Sequence, residues 1–248
     1  MDVLSQEFLS SCRHDEGRIL RGENMSRIET FVDAAFAFSF TMLVISIDQI
    51  PRSPDELLVL SRDIPAFVIS AAIIGSIWLA HTTWSRTFGL QDGVTVLLSL
   101  SLVVLVLIFV YPIKLMTQAA VLYLSDGAFG MRLFDGDGWT PDSVASLFVY
   151  FALGFIVLSA VLISLYMNAL RFKRELVLSD FEIYFCKFAC VRWVVLALTA
   201  IVSIVTALYV DEGRTSNAGF VYSALLVAIP MSEWTYRLLI PAPVSSGV

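Results

Sequence analysis

The sequence predicts an all-α integral membrane protein with six transmembrane helices per subunit and both N- and C-termini on the cytoplasmic side. Composition comes first. Of 248 residues, 58% are hydrophobic and 15% charged, with a mean hydropathy of +0.80. A soluble domain carries roughly a quarter charged residues, so this chain has too few charges to coat a water-facing globule. Apolar runs of about 20 residues, enough to cross a hydrocarbon core, then recur along the chain. Finally, Lys and Arg fall unevenly between the connecting segments, which orients the spans.

Taken in order, the spans cover about Thr30–Ile50, Ile64–Trp84, Val94–Ile113, Val144–Asn168, Tyr184–Val210 and Ala218–Ile240. The second opens after "SRDIPAF", where Asp63 precedes a proline in the first turn, a favourable helix start. The third closes in "VYPIKLM", with Pro112 either accommodated by neighbouring structure or marking a break near the membrane edge. The connections "DQIPRSPDE", "SDGAFGMRLFDGDGWTPDS" and "DEGRTSN" are rich in turn formers and acids and read as loops. The acids of the third-to-fourth loop, Asp126, Asp135, Asp137 and Asp142, read as solvated surface. Residues 1–26 are expected to be a retained cytoplasmic segment with an amphipathic surface helix, 27–240 the transmembrane domain, and 241–248 a short tail.

With the N-terminus inside, Arg13, Arg18, Arg21, Arg27, Arg86, the cluster Arg171, Lys173 and Arg174, and Lys187, Arg192 and Arg237 face the cytoplasm. Only Arg52, Arg62, Lys114, Arg132 and Arg214 face outward. The positive-inside rule favours that orientation. Arg171, Lys173 and Arg174 read as an interfacial anchor, with anionic lipid as a secondary contact.

Several function classes drop out. The net charge of −6 comes with no basic run or basic patch interleaved with aromatics, so no nucleic acid partner is expected. Cys12, Cys186 and Cys190 form no CxxC pair; the last two, one helical turn apart, read as small buried hydrophobes. With two histidines and no GxSxG, HExxH or Gly-rich nucleotide loop, the chain is read as no enzyme, with no metal and no cofactor.

The first span, "RIETFVDAAFAFSFTMLVISI", carries Arg27, Glu29 and Asp33 at its mouth. The topology sets Arg27, Asp33, Trp78 and His81 at one membrane level. Two readings stand: caps that snorkel toward water, or a polar cluster with a role at membrane depth. Along the same helix, Ala34, Phe38, Thr41, Met42 and Ile45 share one face by three- and four-residue steps, and Phe36, Phe40, Leu43 and Ile47 share another. Periodicity alone does not say which face lines a pore, and Thr41 can also bond back to its own turn.

The motif "RIETFVD" closely resembles the Arg-x-x-x-Phe-Ser-Asp signature that opens the first helix in the transmembrane protein 175 family of potassium channels. The resemblance continues through "AAFAFSFTMLVISI" with its Thr41, "WLAH" with Trp78 and His81, and Asp92 ahead of the third span. The last three spans carry no matching motif. Val32 stands where the family has serine, and Phe38 where its constriction usually has isoleucine or leucine.

The resemblance implies a leak-type potassium channel, a homotetramer in the lipid bilayer with K+ as the permeant ion. The first helix of each subunit would line a central pore. The constriction would fall at Phe38, with further layers at Thr41 or Met42 and at Ile45. Arg27, Phe31, Asp33, Trp78 and His81 would form the structural motif at the cytoplasmic mouth. Such a pore uses apolar side chains where ordinary potassium channels use carbonyls. A single six-helix unit favours a prokaryotic plasma membrane. Competing readings are a proton-permeable leak, a non-conducting scaffold and a secondary transporter; the last predicts acids at the membrane midplane, and none is clearly central in any span.

Overall fold

The computed structural model describes residues 3–45, 51–130, 141–209 and 217–243. Outside them lie the end of the first expected span with Ile47, the loop residues Arg132, Asp135 and Asp137, then Val210 with Arg214, and residues 244–248. The side chain of Asp142 is likewise not described.

The N-terminal segment is not a continuous surface helix. A six-residue helix, α1 (Gln6–Ser11), is capped by Ser5. It is followed by a minimal antiparallel hairpin, β1 (His14–Asp15) and β2 (Arg18–Ile19), which pairs His14 with Ile19 and Asp15 with Arg18. Glu16 and Gly17 both have positive φ, 47° and 82°, the backbone a two-residue hairpin turn requires. The hairpin is tied down by a buried ion pair. Arg21 grips Glu182 through Nη1–Oε1 at 2.6 Å and Nη2–Oε2 at 2.9 Å, and Ile19 N donates to the same carboxylate at 3.0 Å. A guanidinium fork on a carboxylate satisfies both charges at once, which is how such a pair survives burial.

The helices that follow are α2 (Arg27–Ile45), α3 (Pro54–Ser61), α4 (Ile64–Phe88), α5 (Gly93–Leu124), α6 (Pro141–Arg171) and α7 (Asp180–Tyr209). Among the described residues, five helices are long and apolar enough to cross a membrane: α2, α4, α5, the 143–171 part of α6, and α7. The sixth expected span is a contiguous series of short pieces: α8 (Asn217–Phe220), a 3-10 turn (Val221–Ala224) and α9 (Leu225–Leu239), with Pro230 inside α9.

α5 sits centrally, packed against α2, α4 and α6, while α7 pairs with α6 on one side and α9 on the other. It runs well past the expected end at Ile113, and Pro112 lies inside it. Proline removes one ladder hydrogen bond, but helical neighbours keep the helix intact. Buried residues recur at helical spacing: Leu102, Val106, Val110 and Ile113 on α5 meet Leu158, Leu162 and Leu165 on α6 and Ile74 and Ile77 on α4. Gly154 admits the ring of Phe109, with which a Cβ at that position would collide. Gly89, in the left-handed region at φ 60°, ends α4 and returns its N–H to Ser85.

Candidate functional site

The first span begins with a reciprocal cap that its sequence encodes as Ser26-x-x-Glu29. Ser26 N donates to Glu29 Oε2 at 2.6 Å, and Glu29 N to Ser26 Oγ at 3.3 Å. Glu29 also accepts from the Ser85 hydroxyl of α4, which ties the start of α2 to that helix. Glu29 therefore meets the positive end of the helix dipole, and Asp33, a turn further on, has another partner.

That partner is Trp78, whose Nε1 donates to Asp33 Oδ1 at 2.7 Å. The other two residues expected at this level do not join them. His81 is buried and bonds Ser99 of α5, Nε2 to Oγ at 3.0 Å. Arg27 is exposed and makes no hydrogen bond or ion pair among the described residues. The expected four-residue cluster is thus one bonded pair, a histidine turned into the neighbouring helix, and a free arginine. Phe31 is 53% exposed and belongs to the open face of α2, whereas Val32, at the family's serine position, is wholly buried. Asp92 caps α5, accepting from Val94 N at 3.1 Å and Thr95 Oγ1 at 2.5 Å, and Asn168 of α6 donates to it at 3.0 Å. Burial pushes this carboxyl up, but those donors outweigh it and hold it below its ordinary value.

The two faces of α2 separate cleanly. Val32, Phe36, Ser39 and Leu43 are buried, with the three apolar ones in the core cluster. The opposite face exposes Phe31, Ala34, Phe38, Thr41, Val44 and Ile45, at 55% for Phe38 and 63% for Ile45. Met42 is half-buried and packs on the core from the side. Thr41 Oγ1 donates to the Ala37 carbonyl at 3.2 Å. Its only proton is spent within the helix, so the oxygen offers lone pairs to the open side.

Sequence reasoning missed a second polar group. The sequence places Lys114 among the outward-facing charges and Asp63 just before the favourable start of the second span. Asp63 caps nothing with its side chain. Its two oxygens accept from Gln118 Nε2 at 2.8 Å each, and its Oδ2 stands 3.5 Å from Lys114 Nζ. Lys114 Nζ also donates to the Leu43 carbonyl of α2 at 3.2 Å. The one signal was a lysine inside an otherwise apolar run, "FVYPIKLM". No group of three or more His, Cys, Asp or Glu able to hold a metal occurs among the described residues.

Membrane-length helices around a central helix, with one face of the first span left open, define an integral membrane protein of the helical-bundle class. The family model described as endosomal/lysosomal potassium channel TMEM175 matches residues 27–112. A potassium channel of Marivirga tractuosa is 32% identical over 212 residues, covering 82% of this chain and 83% of that protein. A solved structure, a variant of the potassium channel MtTMEM175 bound to a nanobody–MBP fusion, superposes with a TM-score of 0.77 at 28% identity. That match covers 91% of this chain and 98% of the solved one. The chain belongs to the TMEM175 family.

Proposed function

We propose that this protein is a potassium-selective, leak-type cation channel in which the exposed stripe of α2 lines a central pore. The observation that carries the reading is the division of α2 itself. A membrane helix whose buried face is already satisfied by its own subunit, and whose opposite face still presents Phe38, Thr41 and Ile45 in register, is suited to meeting its own copies around an axis. Membership of a family whose relatives are named potassium channels supplies the ion. The assembly is taken to be a homotetramer of six-span subunits in a prokaryotic plasma membrane, with both termini cytoplasmic and no cofactor.

In this reading Phe38 forms the neck, an apolar constriction where an ion sheds water. Potassium gives up its hydration shell at lower cost than sodium, so a tight dehydrating passage favours it. Thr41, one turn on, supplies a ring of hydroxyl oxygens whose protons are engaged with the Ala37 carbonyls. Those lone pairs replace part of the lost hydration. Ile45 forms a further apolar layer, with Met42 supporting the ring from the side. Asp33, held by Trp78, and Glu29, held by Ser26 and Ser85, fix the cytoplasmic start of the helix and leave no carboxylate at the neck. His81 braces α4 against α5, and Arg27 and Phe31 stand at the mouth of the open stripe.

Potassium flux in proteoliposomes tests the reading, with native protein, Phe38→Ala, Phe38→Ile and Thr41→Ala compared under potassium and sodium gradients. Native vesicles are expected to pass potassium in preference to sodium. Phe38→Ala should conduct more with selectivity reduced, and Phe38→Ile should stay selective. Saturating flux coupled to a counter-ion would point to a transporter. Silence in every variant, from an intact oligomer, would leave a non-conducting scaffold.

A further inference from the structure

Lys114 is the one lysine or arginine that the described bundle buries beside the pore-lining helix, with 6% of its side chain exposed. An ammonium inside a membrane bundle is costly unless paired, and residues kept there at that cost have a task by default. The geometry points to Lys114 as a positioning residue that fixes the far end of α2 by donating to the Leu43 carbonyl. Asp63 and Gln118 aim the ammonium. This inference rests on the channel reading and says which group sets the register of the inner layers.

The lysine stands on a braced platform. α4 and α5 are joined one turn away by the Ser70 and Thr117 hydroxyls, 2.6 Å apart, and Thr117 also donates to the Lys114 carbonyl at 2.8 Å. Gln118 spans the gap from α5 to Asp63 at the start of α4. From this platform the ammonium reaches the backbone of α2 at a residue whose own side chain is fully buried. Leu43 lies between Thr41 and Ile45, whose side chains stand on the open face. A shift of the Leu43 backbone therefore moves both layers together, while the Phe38 neck lies more than a turn away. A well-packed apolar pair would hold two helices as firmly as a buried ion pair. What the charged pair adds is a directed bond to the Leu43 carbonyl.

The test measures the potassium-to-sodium permeability ratio of the full chain in proteoliposomes, after size exclusion has scored assembly. The variants are Lys114→Met, Lys114→Arg, Asp63→Asn and the double Lys114→Met/Asp63→Asn. Lys114→Met is expected to lower the ratio roughly threefold or more. Lys114→Arg keeps a cationic donor and should stay within about twofold of native, a rescue that a purely space-filling role would not give. The double variant buries no net charge and is the one expected to assemble even where a single variant does not. Its ratio should match that of Lys114→Met, because both changes act through the same bond.

A native ratio in assembled Lys114→Met, or an Lys114→Arg as impaired as Lys114→Met, overturns the inference. So does a double variant whose loss equals the sum of the singles, or loss of assembly in every variant. A native protein that passes no potassium sinks the channel reading and this inference with it. Selective native flux with unchanged ratios in the variants sinks this inference alone.

Discussion

Along α2, Val32, Phe36, Ser39 and Leu43 lie buried within the subunit, while half a turn away Phe31, Ala34, Phe38, Thr41 and Ile45 stand open. Both stripes are largely apolar, so hydrophobicity does not distinguish them. What does is the partner each has. The buried stripe is filled against core residues such as Ile74, Ile77, Leu102 and Val106, and the subunit's stability depends on it. The open stripe adds almost nothing to the fold of one subunit, so its residues are not held to that task and are available for the pore-lining role proposed above. Substitutions on the two stripes should therefore separate stability from conduction.

The largest effect is expected from Phe36→Ala. Phe36 is 2% exposed, and truncating a core phenylalanine leaves a cavity that typically costs about 3–5 kcal/mol. The thermal midpoint of the detergent-solubilised protein should fall sharply, with loss of assembly. Phe38→Ala removes the same atoms one half-turn away, and its stability should change by no more than about 0.5 kcal/mol, with little movement of the midpoint. A midpoint loss for Phe38→Ala as large as that for Phe36→Ala would erase the distinction between the faces.

Behind the buried stripe, Trp78→Phe keeps the ring and removes the donor to Asp33. Leaving a part-buried carboxylate without its 2.7 Å partner is expected to cost about 1–3 kcal/mol, read as a drop in the same midpoint. Asp92 gives a smaller effect that depends on pH. Burial raises its carboxyl, but bonds from Thr95, Asn168 and Val94 hold it below its ordinary value. A depressed folded value means that the stabilisation is complete above the unfolded carboxyl value of about 3.9 and is lost as pH falls through the folded one. The midpoint difference between native protein and Asp92→Asn should be constant from pH 7 to pH 5 and shrink only below about pH 4. A difference that instead grows on acidification would reverse the sign assigned to this cap.

Much of this arrangement was legible in the sequence, for definable reasons. Five spans of membrane length are a property of local hydropathy, and the face shared by Phe38, Thr41 and Ile45 is a property of helical period. Both survive translation into three dimensions because neither depends on a distant partner. The Asp33–Trp78 pair could be anticipated from topology, which sets the start of one span beside the end of the next. Three things were not legible. The Arg21–Glu182 ion pair joins residues far apart in the chain; Ser179-x-x-Glu182 reads as a helix cap, and nothing in that pattern points to Arg21. Lys114 looked like a loop charge because Pro112 suggested an end to its helix, and neighbouring helices carry α5 past it. His81 turned toward Ser99 because a buried imidazole takes the hydroxyl at hand, and sequence spacing does not choose between neighbouring helices.

The smallest stability effect, and the most informative about the open face, is expected from Thr41→Val. The two side chains have nearly the same shape, and the hydroxyl bonds only to its own helix, where such a back-bond slightly destabilises or bends the turn. Removing it from an exposed position should change stability by less than about 0.5 kcal/mol in either direction. For conduction through the proposed pore the change is not conservative, because valine offers no oxygen where that reading puts a partly dehydrated ion. Potassium flux should fall and the preference over sodium should narrow, with assembly unchanged. The pair Thr41→Val and Thr41→Ser then isolates the oxygen from the methyl group: serine keeps the lone pairs and the back-bond to Ala37, so it should retain the native preference. If valine and serine behave alike in flux, the proposed ring of hydroxyls plays no part in choosing the ion, which leaves the proposed neck at Phe38 to make the choice.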